Sequence, residues 1–390
     1  MKHSVSTLAA VLAGLLLVGC ASAPERQLST SAPAYASLPN GHDPLNPDQL
    51  SPNYKSMVEG SEGNPTRNLE RIKGRPLKFL SISGGGQNGA FGAGFLIGWR
   101  ESGQRPEFDA VGRVSTGALL ATHALLGTPE DDAKLEAMYT QVTKADIYTT
   151  RSLLDIVSGT DSLMDTTPLK EMIAKFITAE TLQRVAAAGR DGRFIVVGTT
   201  NVDYEQTWVW NMSAIARDGK LDLYRNVLRA SASFPIVFPP VEIDGHLFVD
   251  GAARSNLVVP GLSGPDRPGP PLYGPGTIYV IDNGKLQATP EALRRALGDV
   301  AATTVGVMMN HSMQTAMTRS FVGAKVLGYD FKYVGIEESV GIGKDPLAFA
   351  PDEMRAAFDF GRSLGEQPDP WIKQPPLGDD LPSWAAEIIK

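Results

Sequence analysis

Two strand–turn–helix patterns follow each other between residues 77 and 119, and they limit the possible folds more than any other feature of the sequence. In the first, the apolar run Leu77–Ile82 leads into three consecutive glycines at 84–86. In the second, a largely apolar run at 108–114 ends at Ser115. Continuous apolar strands that alternate with helices are typical of a sheet that is buried on both faces. The sequence therefore predicts an α/β fold with a mostly parallel central sheet.

The turn that contains the three glycines is suited to binding an anion. A backbone without side chains adopts unusual dihedral angles and directs several N–H groups at one point. The helix that follows directs its positive end at the same place. We therefore interpret Gly84, Gly85 and Gly86 as a cradle for an oxyanion or a phosphate group.

The second turn places a serine where it can act as a nucleophile. A hydroxyl between a strand and a helix stands clear of its neighbours, and the helix N-terminus stabilises negative charge beside it. The small residues Thr116 and Gly117 follow Ser115. The Gly-x-Ser-x-Gly spacing of such turns requires a glycine two residues before the serine, but this sequence has Arg113 there and its glycine at Gly112. The alternative role for this serine is that of a helix N-cap.

A nucleophilic serine also needs a base that accepts its proton. Asp250 follows the strand-like run His246–Val249 and precedes Gly251. We predict that Asp250 is this base, whereas the alternative role of an Asp-Gly pair is a simple turn. Of the histidines, only His246 lies near Asp250 in the sequence, and we assign no histidine to the site.

Four short segments in a fixed order carry a resemblance to a known family. They read Gly-Gly-Gly-x-x-Gly at 84–89, Ser-Thr-Gly-Ala at 115–118, Ala-Ser-x-x-x-Pro at 230–235 and Asp-Gly-Ala at 250–252. Together they resemble the patatin-like phospholipase family, over roughly residues 77–333. The resemblance implies a three-layer α/β/α sandwich and a lipid acyl hydrolase of the phospholipase A, lysophospholipase or esterase type.

The resemblance also implies the roles of individual residues. Ser115 would be the nucleophile and Asp250 its general base, in a dyad that forms an acyl-serine intermediate. Gly84, Gly85 and Gly86 would form the oxyanion hole, and the substrates would be membrane lipids or other acyl esters. Because Arg113 replaces a glycine of the nucleophile turn, the alternative is a catalytically weak or inactive relative that binds lipid. No cysteine cluster or His-x-x-x-His pair indicates a metal site, and we predict no cofactor.

The glycines also match the Gly-x-Gly-x-x-Gly pattern of dinucleotide-binding turns. A Rossmann unit requires an acidic residue at the end of the next strand, about twenty residues later. Asp109 stands at that distance, but it begins the next strand instead of ending it. We therefore consider nucleotide binding a weaker hypothesis than ester hydrolysis.

The N-terminus resembles a bacterial lipoprotein signal. Lys2 and His3 precede the apolar segment 8–18, which is too short to span a bilayer as a mature helix. Leu-Val-Gly then precedes Cys20, the only cysteine of the chain, as in a lipobox. The resemblance implies cleavage after Gly19, lipid attachment to Cys20, and a location in the bacterial cell envelope, at the outer membrane. The alternative is an ordinary secretory signal in which the cysteine is incidental.

The predicted organisation is a signal peptide at 1–19, a lipid-anchored flexible tether at 20–74, a patatin-like domain at 75–366 and a Pro-rich tail at 367–390. The tether segment has few large apolar residues, so it buries too little surface to offset its chain entropy. A net charge of −7 without a block of Lys and Arg argues against a nucleic-acid partner. The sequence indicates no obligate protein partner.

Periodicity and turn residues predict further elements along the chain. The predicted helices are 129–143, 167–176, 180–188, 221–232, 290–326 and 350–364; the predicted strands are 193–200, 206–210, 277–281 and the edge strand 331–336. Four methionines at 308, 309, 313 and 317 fall on the long helix. We interpret them as core residues, with an acyl-binding wall as the alternative. Trp371 and Trp384 in the tail are either membrane-interface anchors or packed on the domain.

Overall fold

A nine-stranded sheet forms the centre of the computed structural model. The described residues are 26–39, 42–46, 48–49, 51, 75–152, 154–155, 159–259, 275–284, 292–293, 295–337, 340 and 345–376. The strands are β1 (Ala36–Ser37), β2 (Leu77–Ile82), β3 (Ala110–Arg113), β4 (Thr149–Thr150), β5 (Met164–Asp165), β6 (Phe194–Asn201), β7 (Gln206–Asn211), β8 (Val241–Ile243), β9 (His246–Asp250), β10 (Gly276–Asp282) and β11 (Asp330–Gly335). Of these, β4 and β5 form a separate pair.

Apart from the helix Met212–Arg217, which the sequence analysis did not predict, the helices of the described residues lie close to where the sequence predicts them. They are α1 (Gly89–Glu101), α2 (Thr116–Leu126), α3 (Pro129–Thr140), α4 (Thr167–Phe176), α5 (Ala179–Arg190), α6 (Met212–Arg217), α7 (Leu221–Ser231), α8 (Leu297–Val326) and α9 (Pro351–Gly365). The start of α8 differs from the prediction, because Ala296 has an extended backbone with φ −114° and ψ 141°. The helix therefore begins at Leu297 instead of residue 290, and it runs unbroken to Val326.

The sheet has a parallel centre and an antiparallel side. Strands β6, β3, β2, β10 and β11 lie side by side in this order, and all are parallel to their neighbours. On the other side of β6, strands β7 and β1 continue the sheet in antiparallel pairs. Strand β9 also pairs antiparallel with β6, and β8 pairs with β9. The predicted mostly parallel central sheet and the predicted edge strand, β11, are confirmed.

Alternate residues of the central strands face two different cores, as expected for a sheet with a helical layer on each side. Leu80 and Ile82 of β2 belong to one core, which contains residues of α1, α2 and α9. Phe79 belongs to the other core, which α8 covers with Met313, Met317 and other residues. The three-layer arrangement is thus confirmed, and two of the four methionines are core residues as predicted.

Part of the predicted tether packs on the domain. Residues 36–37 form β1 at the edge of the sheet, and Ala36 is buried there. Tyr35 donates a hydrogen bond of 2.9 Å to Asp218, and the guanidinium of Arg26 donates one of 2.8 Å to Asp203. The prediction of a flexible tether placed contact with the domain only at 68–73, which lie outside the described residues. It missed this earlier stretch because its few apolar residues are used at a strand edge, where backbone hydrogen bonds supply the contact.

The tail also packs on the domain at its start. The ring of Trp371 lies 4.8 Å from that of Trp99 and 5.1 Å from that of Tyr279, centroid to centroid. Ile372 exchanges backbone hydrogen bonds with Tyr333 of β11. Trp371 is therefore a packing residue, while Trp384 lies outside the described residues. No helix in the described part of the chain is long and apolar enough to cross a membrane.

Candidate active site

Strand pairing brings Ser115 and Asp250 together although 135 residues separate them in the sequence. Strand β3 pairs with the first half of β6, up to the pair Arg113 and Val197. Strand β9 pairs with the second half of β6, beginning at the pair Asp250 and Thr199. Because β9 runs antiparallel to β6, its carboxyl end points at the carboxyl end of β3. The residues that follow the two strand ends therefore meet.

The backbone of Ser115 has the strained geometry of a nucleophile turn. Its φ of 58° and ψ of −130° are unusual for a residue with a side chain. The Ser115 N–H donates a 2.9 Å hydrogen bond to the hydroxyl of Ser231, which donates in turn to the Gly198 carbonyl at 2.8 Å. These bonds tie the turn to α7 and β6. Helix α2 begins directly after the turn, at Thr116.

Asp250 is the group that faces the Ser115 hydroxyl. Its side chain is buried, and the Ser115 hydroxyl lies close enough to act on its pKa. The Ala252 N–H donates a hydrogen bond of 2.9 Å to the carboxyl group. Burial raises the pKa of Asp250 to about 7, although the Ser115 hydroxyl and the Ala252 N–H act in the opposite direction. Asp250 can thus exchange a proton near neutral pH, as a general base must.

The glycine-rich turn lies against this pair, and its close contacts explain why it lacks side chains. A Cβ atom on Gly84 would lie 2.8 Å from the Cβ of Ser115. Gly86 has a φ of 57°, and a Cβ there would lie 2.1 Å from the Pro346 carbonyl oxygen. Larger residues at either position would displace the turn from the serine.

The three glycine N–H groups are not equivalent. The Gly84 N–H donates a 2.9 Å hydrogen bond to the side-chain oxygen of Asn256. The Gly85 and Gly86 N–H groups donate to no acceptor within the described part of the chain. Asn256 was not predicted, because no local pattern marks it and its partner lies 172 positions away. The turn therefore has two N–H groups available for an anion and one that is already bonded.

Ser115, Asp250 and the three glycines line a cavity of about 810 Å³. Most of the other lining residues are apolar. They come from α2, α3, α4 and α8 and from the segments 142–147, 234–238 and 345–349. They include Leu119, Met138, Val142, Ile147, Leu169, Met172, Phe234, Val237, Phe238, Met309, Met313, Leu347 and Phe349. Met309 and Met313 thus line the cavity, as the alternative role of an acyl-binding wall requires. Met313 also belongs to the core.

Arg113 precedes the serine turn but does not line the cavity. Its side chain is fully buried, and its guanidinium nitrogens have no hydrogen-bond partner among the described residues. Burial lowers the pKa of Arg113 well below its usual value, and Tyr224 opposes this effect. Val114, by contrast, faces Gly251 beside Asp250. The strained serine turn thus forms with an arginine at the position where the Gly-x-Ser-x-Gly pattern has glycine.

The other polar residues singled out in the sequence lie away from the cavity. His246 packs on Trp208 and hydrogen-bonds the Ser31 carbonyl at 2.9 Å. Asp109 accepts the Lys78 N–H at 2.9 Å, at the opposite end of β3 from the glycine turn. This position does not suit the ribose-binding acid of a nucleotide site. Cys20 lies outside the described residues.

Residues 80–262 match the family model described as patatin-like phospholipase. Among solved structures, the chain is similar to VipD from Legionella pneumophila with 14% sequence identity and a TM-score of 0.33. That match covers 74% of this chain and 66% of the VipD chain, so the chain spans about two thirds of this relative's length. No curated protein matches the sequence. Residues 80–262, which include Ser115 and Asp250, are therefore a patatin-like phospholipase domain.

Proposed function

We propose that this protein is a carboxylic ester hydrolase that cleaves lipid acyl esters with a Ser115–Asp250 dyad. One observation carries the proposal: Ser115, on a strained turn, lies beside the buried carboxyl group of Asp250 at the wall of an apolar cavity. The match to the patatin-like phospholipase family supports lipid acyl hydrolysis in general. Phospholipase A, lysophospholipase and esterase activities all fit this site.

The proposed reaction has two halves. Asp250 accepts the Ser115 proton as Oγ attacks the ester carbonyl carbon, and the tetrahedral oxyanion forms beside the Gly85 and Gly86 N–H groups. The intermediate collapses, the alcohol leaves with the proton from Asp250, and the acyl group stays on Ser115. In the second half, Asp250 accepts a proton from water as the water oxygen attacks the acyl-serine. Collapse then releases the fatty acid, and Ser115 takes the proton back.

The shape and lining of the cavity support an acyl chain as the bound group. Its volume of about 810 Å³ falls in the range of pockets that bury small ligands, roughly 300–1,000 Å³. Apolar side chains such as Leu119, Met172 and Phe238 form most of its wall. Removing a methylene group from water is favourable by about 0.8 kcal/mol, so a chain of many methylenes gains binding energy along such a wall.

The catalytically inactive alternative rests on Arg113. The strained backbone of Ser115, the buried Asp250 carboxyl group beside it and the two unbonded glycine N–H groups are all present near this arginine. Because the Arg113 side chain does not line the cavity, it leaves the space beside Ser115 open to a substrate. These observations favour the active enzyme.

The direct test compares the wild type with Ser115→Ala, in protein that begins at Ala21. We expect a fluorophosphonate probe to label the wild type, and we expect wild-type protein to release nitrophenol from acyl esters. Ser115→Ala should lose both activities while its thermal melt stays close to that of the wild type. Ser102→Ala, at the end of α1, is the matched control and should keep both. A folded wild type that neither reacts with the probe nor hydrolyses esters would contradict the proposal.

We propose in addition that Cys20 carries a lipid that anchors the protein in the bacterial cell envelope, at the outer membrane. The lipobox-like order of residues before Cys20 supports this location. Two or three acyl chains hold a protein on a membrane stably, whereas one chain is marginal. Cells that express the full chain and are fed labelled palmitate should produce a labelled protein, and Cys20→Ser should abolish the label. Equal labelling of both proteins would contradict the proposal.

A further inference from the structure

A buried network of polar side chains lies directly beneath the glycine turn. Asp282 ends β10 beside the end of β2, and its side chain has no exposed surface. One carboxyl oxygen accepts the Ser83 hydroxyl at 2.9 Å and the Gly284 N–H at 2.8 Å. The other accepts the Tyr333 hydroxyl at 3.2 Å. The proposed reaction assigns no task to this carboxyl group, which does not line the cavity.

Ser83 joins this network to the glycine turn. Its single hydroxyl hydrogen is shared between Asp282 and the Gly84 carbonyl oxygen, which lies 2.8 Å away, and its oxygen accepts the Asn283 N–H at 2.9 Å. The Asn283 side chain donates to the Ser83 carbonyl at 3.0 Å and accepts the Gly92 N–H of α1, also at 3.0 Å. Residues 282 and 283 therefore fix the position of Ser83 through both its side chain and its backbone.

The Gly84 carbonyl matters because of the N–H group on the other side of the same peptide bond. The peptide unit that joins Gly84 and Gly85 is planar and trans, so its C=O and N–H groups point in opposite directions. When the Ser83 hydroxyl holds the carbonyl on the network side, the Gly85 N–H points to the opposite side. That side is the cavity, which both glycines line.

We propose that Ser83 and Asp282 are positioning residues for the oxyanion hole: Asp282 fixes the Ser83 hydroxyl, and Ser83 fixes the peptide that presents the Gly85 N–H. This inference rests on the proposed function, since it gives Gly85 a role in ester hydrolysis. Neither residue touches the substrate. Their contribution is an orientation that is set before the substrate arrives, which is what makes hydrogen-bond donors effective toward a developing charge.

Two variants remove this support, and a third is the matched control. Ser83→Ala removes the hydroxyl, while Asp282→Asn keeps the size of the side chain and removes its negative charge. Ser81→Ala removes another buried hydroxyl two residues earlier, in β2, which donates to the Val258 carbonyl at 2.8 Å and makes no bond to the turn. The control should retain the wild-type kcat, because it leaves the Gly84 carbonyl untouched.

For Ser83→Ala and Asp282→Asn we expect kcat to fall by about 10- to 100-fold with little change in KM, because small misplacements of a donor act on the transition state. A trifluoromethyl ketone with an acyl-like chain forms an oxyanion on the nucleophilic serine, so it should bind both variants more weakly by a similar factor. An ether analogue of the ester, which forms no oxyanion, should bind them as well as it binds the wild type.

The possible outcomes separate this inference from the proposed function. Wild-type kcat and ketone affinity in both variants would overturn the inference and leave a Ser115-dependent hydrolase intact. A wild type without Ser115-dependent activity would overturn both. If one variant does not fold, as judged by circular dichroism melts, the other decides. Failure of both to fold would also overturn the inference, because the network would then serve the joint between β2 and β10 instead of the orientation of one peptide.

Discussion

At the residue scale, burial has two opposite effects on Asp250. It makes the carboxylate a stronger base, and it lowers the fraction of Asp250 that is ionised. A carboxyl group in water ionises near pH 4, and proton transfer from a serine hydroxyl to such a weak base is unfavourable. Burial at the end of β9 raises the pKa of Asp250 to about 7, which makes its carboxylate a stronger base. The cost is that a larger fraction of the enzyme is protonated at neutral pH.

The pH dependence of the reaction follows from this pKa. Only the ionised form of Asp250 can accept the Ser115 proton, so kcat/KM should rise as pH increases through about 7 and level off above it. Initial rates with a soluble nitrophenyl ester between pH 5 and pH 9 give the profile. The control is the rate at each pH with Asp250→Asn, which should stay near the background. A profile that is flat across pH 7 would contradict the role of Asp250 as the titrating base.

Arg113 presents the opposite case, a buried charge without a partner that the described residues reveal. Placing an unpaired charge in a protein interior costs several kcal/mol, and well-packed apolar residues of similar volume often replace buried ions with a gain in stability. Arg113→Met should therefore raise the free energy of unfolding by about 1–4 kcal/mol, as measured by urea denaturation. It should keep ester hydrolysis, since the side chain is outside the cavity.

Arg105 supplies the control for this comparison. Its side chain is also buried, but it bonds Asp132 at 3.1 Å and the carbonyl oxygens of Leu96 and Gly127 at 2.8 and 2.9 Å. Arg105→Met should lower the free energy of unfolding by about 3–5 kcal/mol, because it leaves Asp132 with one fewer partner. A loss of stability in Arg113→Met that matches the loss in Arg105→Met would show that Arg113 has a stabilising partner.

At the element scale, close contact between α1 and α9 depends on glycines in both helices. A Cβ on Gly94 would lie 2.0 Å from the Phe358 carbonyl oxygen, and one on Gly361 would lie 2.2 Å from that of Phe91. Similar contacts occur at Gly98 and Gly365. Because α1 begins directly after the glycine turn, this packing fixes the helix that directs its positive end at the site.

Gly361→Ala should therefore destabilise the protein by about 1–3 kcal/mol, through overpacking of the helix pair. Gly306→Ala in α8 is the matched control, because a Cβ there meets nothing within 4 Å. That substitution should stabilise the protein by about 0.5–1 kcal/mol, the usual gain when alanine replaces glycine in a helix. Thermal melts of the three proteins give the comparison. Equal effects of the two substitutions would mean that α9 can move away from α1 without cost.

The elements could be predicted from the sequence more completely than the contacts between them. Local periodicity predicted the ends of α4 and the strand that contains Thr199, and four short motifs predicted that Ser115 and Asp250 act as a pair. The bond between Asn256 and Gly84 could not be predicted, because it joins two loops through the fold of the whole sheet. The predicted strand at 277–281 ended one residue before Asp282. The side chain of Asp282 bonds Ser83, at the end of another strand, and local periodicity carries no information about such a contact.

At the scale of the whole molecule, the N-terminal segment connects the predicted lipid anchor to the domain. Within this segment, residues 26–51 include a strand and several side chains that contact the domain. Strand β1 covers the free edge of β7, and Tyr204 donates a 2.8 Å hydrogen bond to the Ser29 carbonyl. The Ser51 hydroxyl donates a hydrogen bond to the Ala36 carbonyl at 3.1 Å and so joins the end of this stretch to β1. An anchor at Cys20 would therefore hold the domain close to the membrane, since Arg26, six positions later, already bonds Asp203 of the domain.

Removal of this stretch should expose an edge strand, and uncovered edges invite pairing between molecules. We expect a protein that begins at residue 52 to melt at a lower temperature than one that begins at residue 26, because the second keeps β1 and the bond between Arg26 and Asp203. The shorter protein should also self-associate at high concentration, which size-exclusion chromatography detects. Each lost hydrogen bond contributes about 0.5–1.5 kcal/mol, so the several contacts together should give a measurable change. Identical melting temperatures and elution volumes would mean that β1 adds nothing to the sheet, and the segment would then be a tether along its whole length.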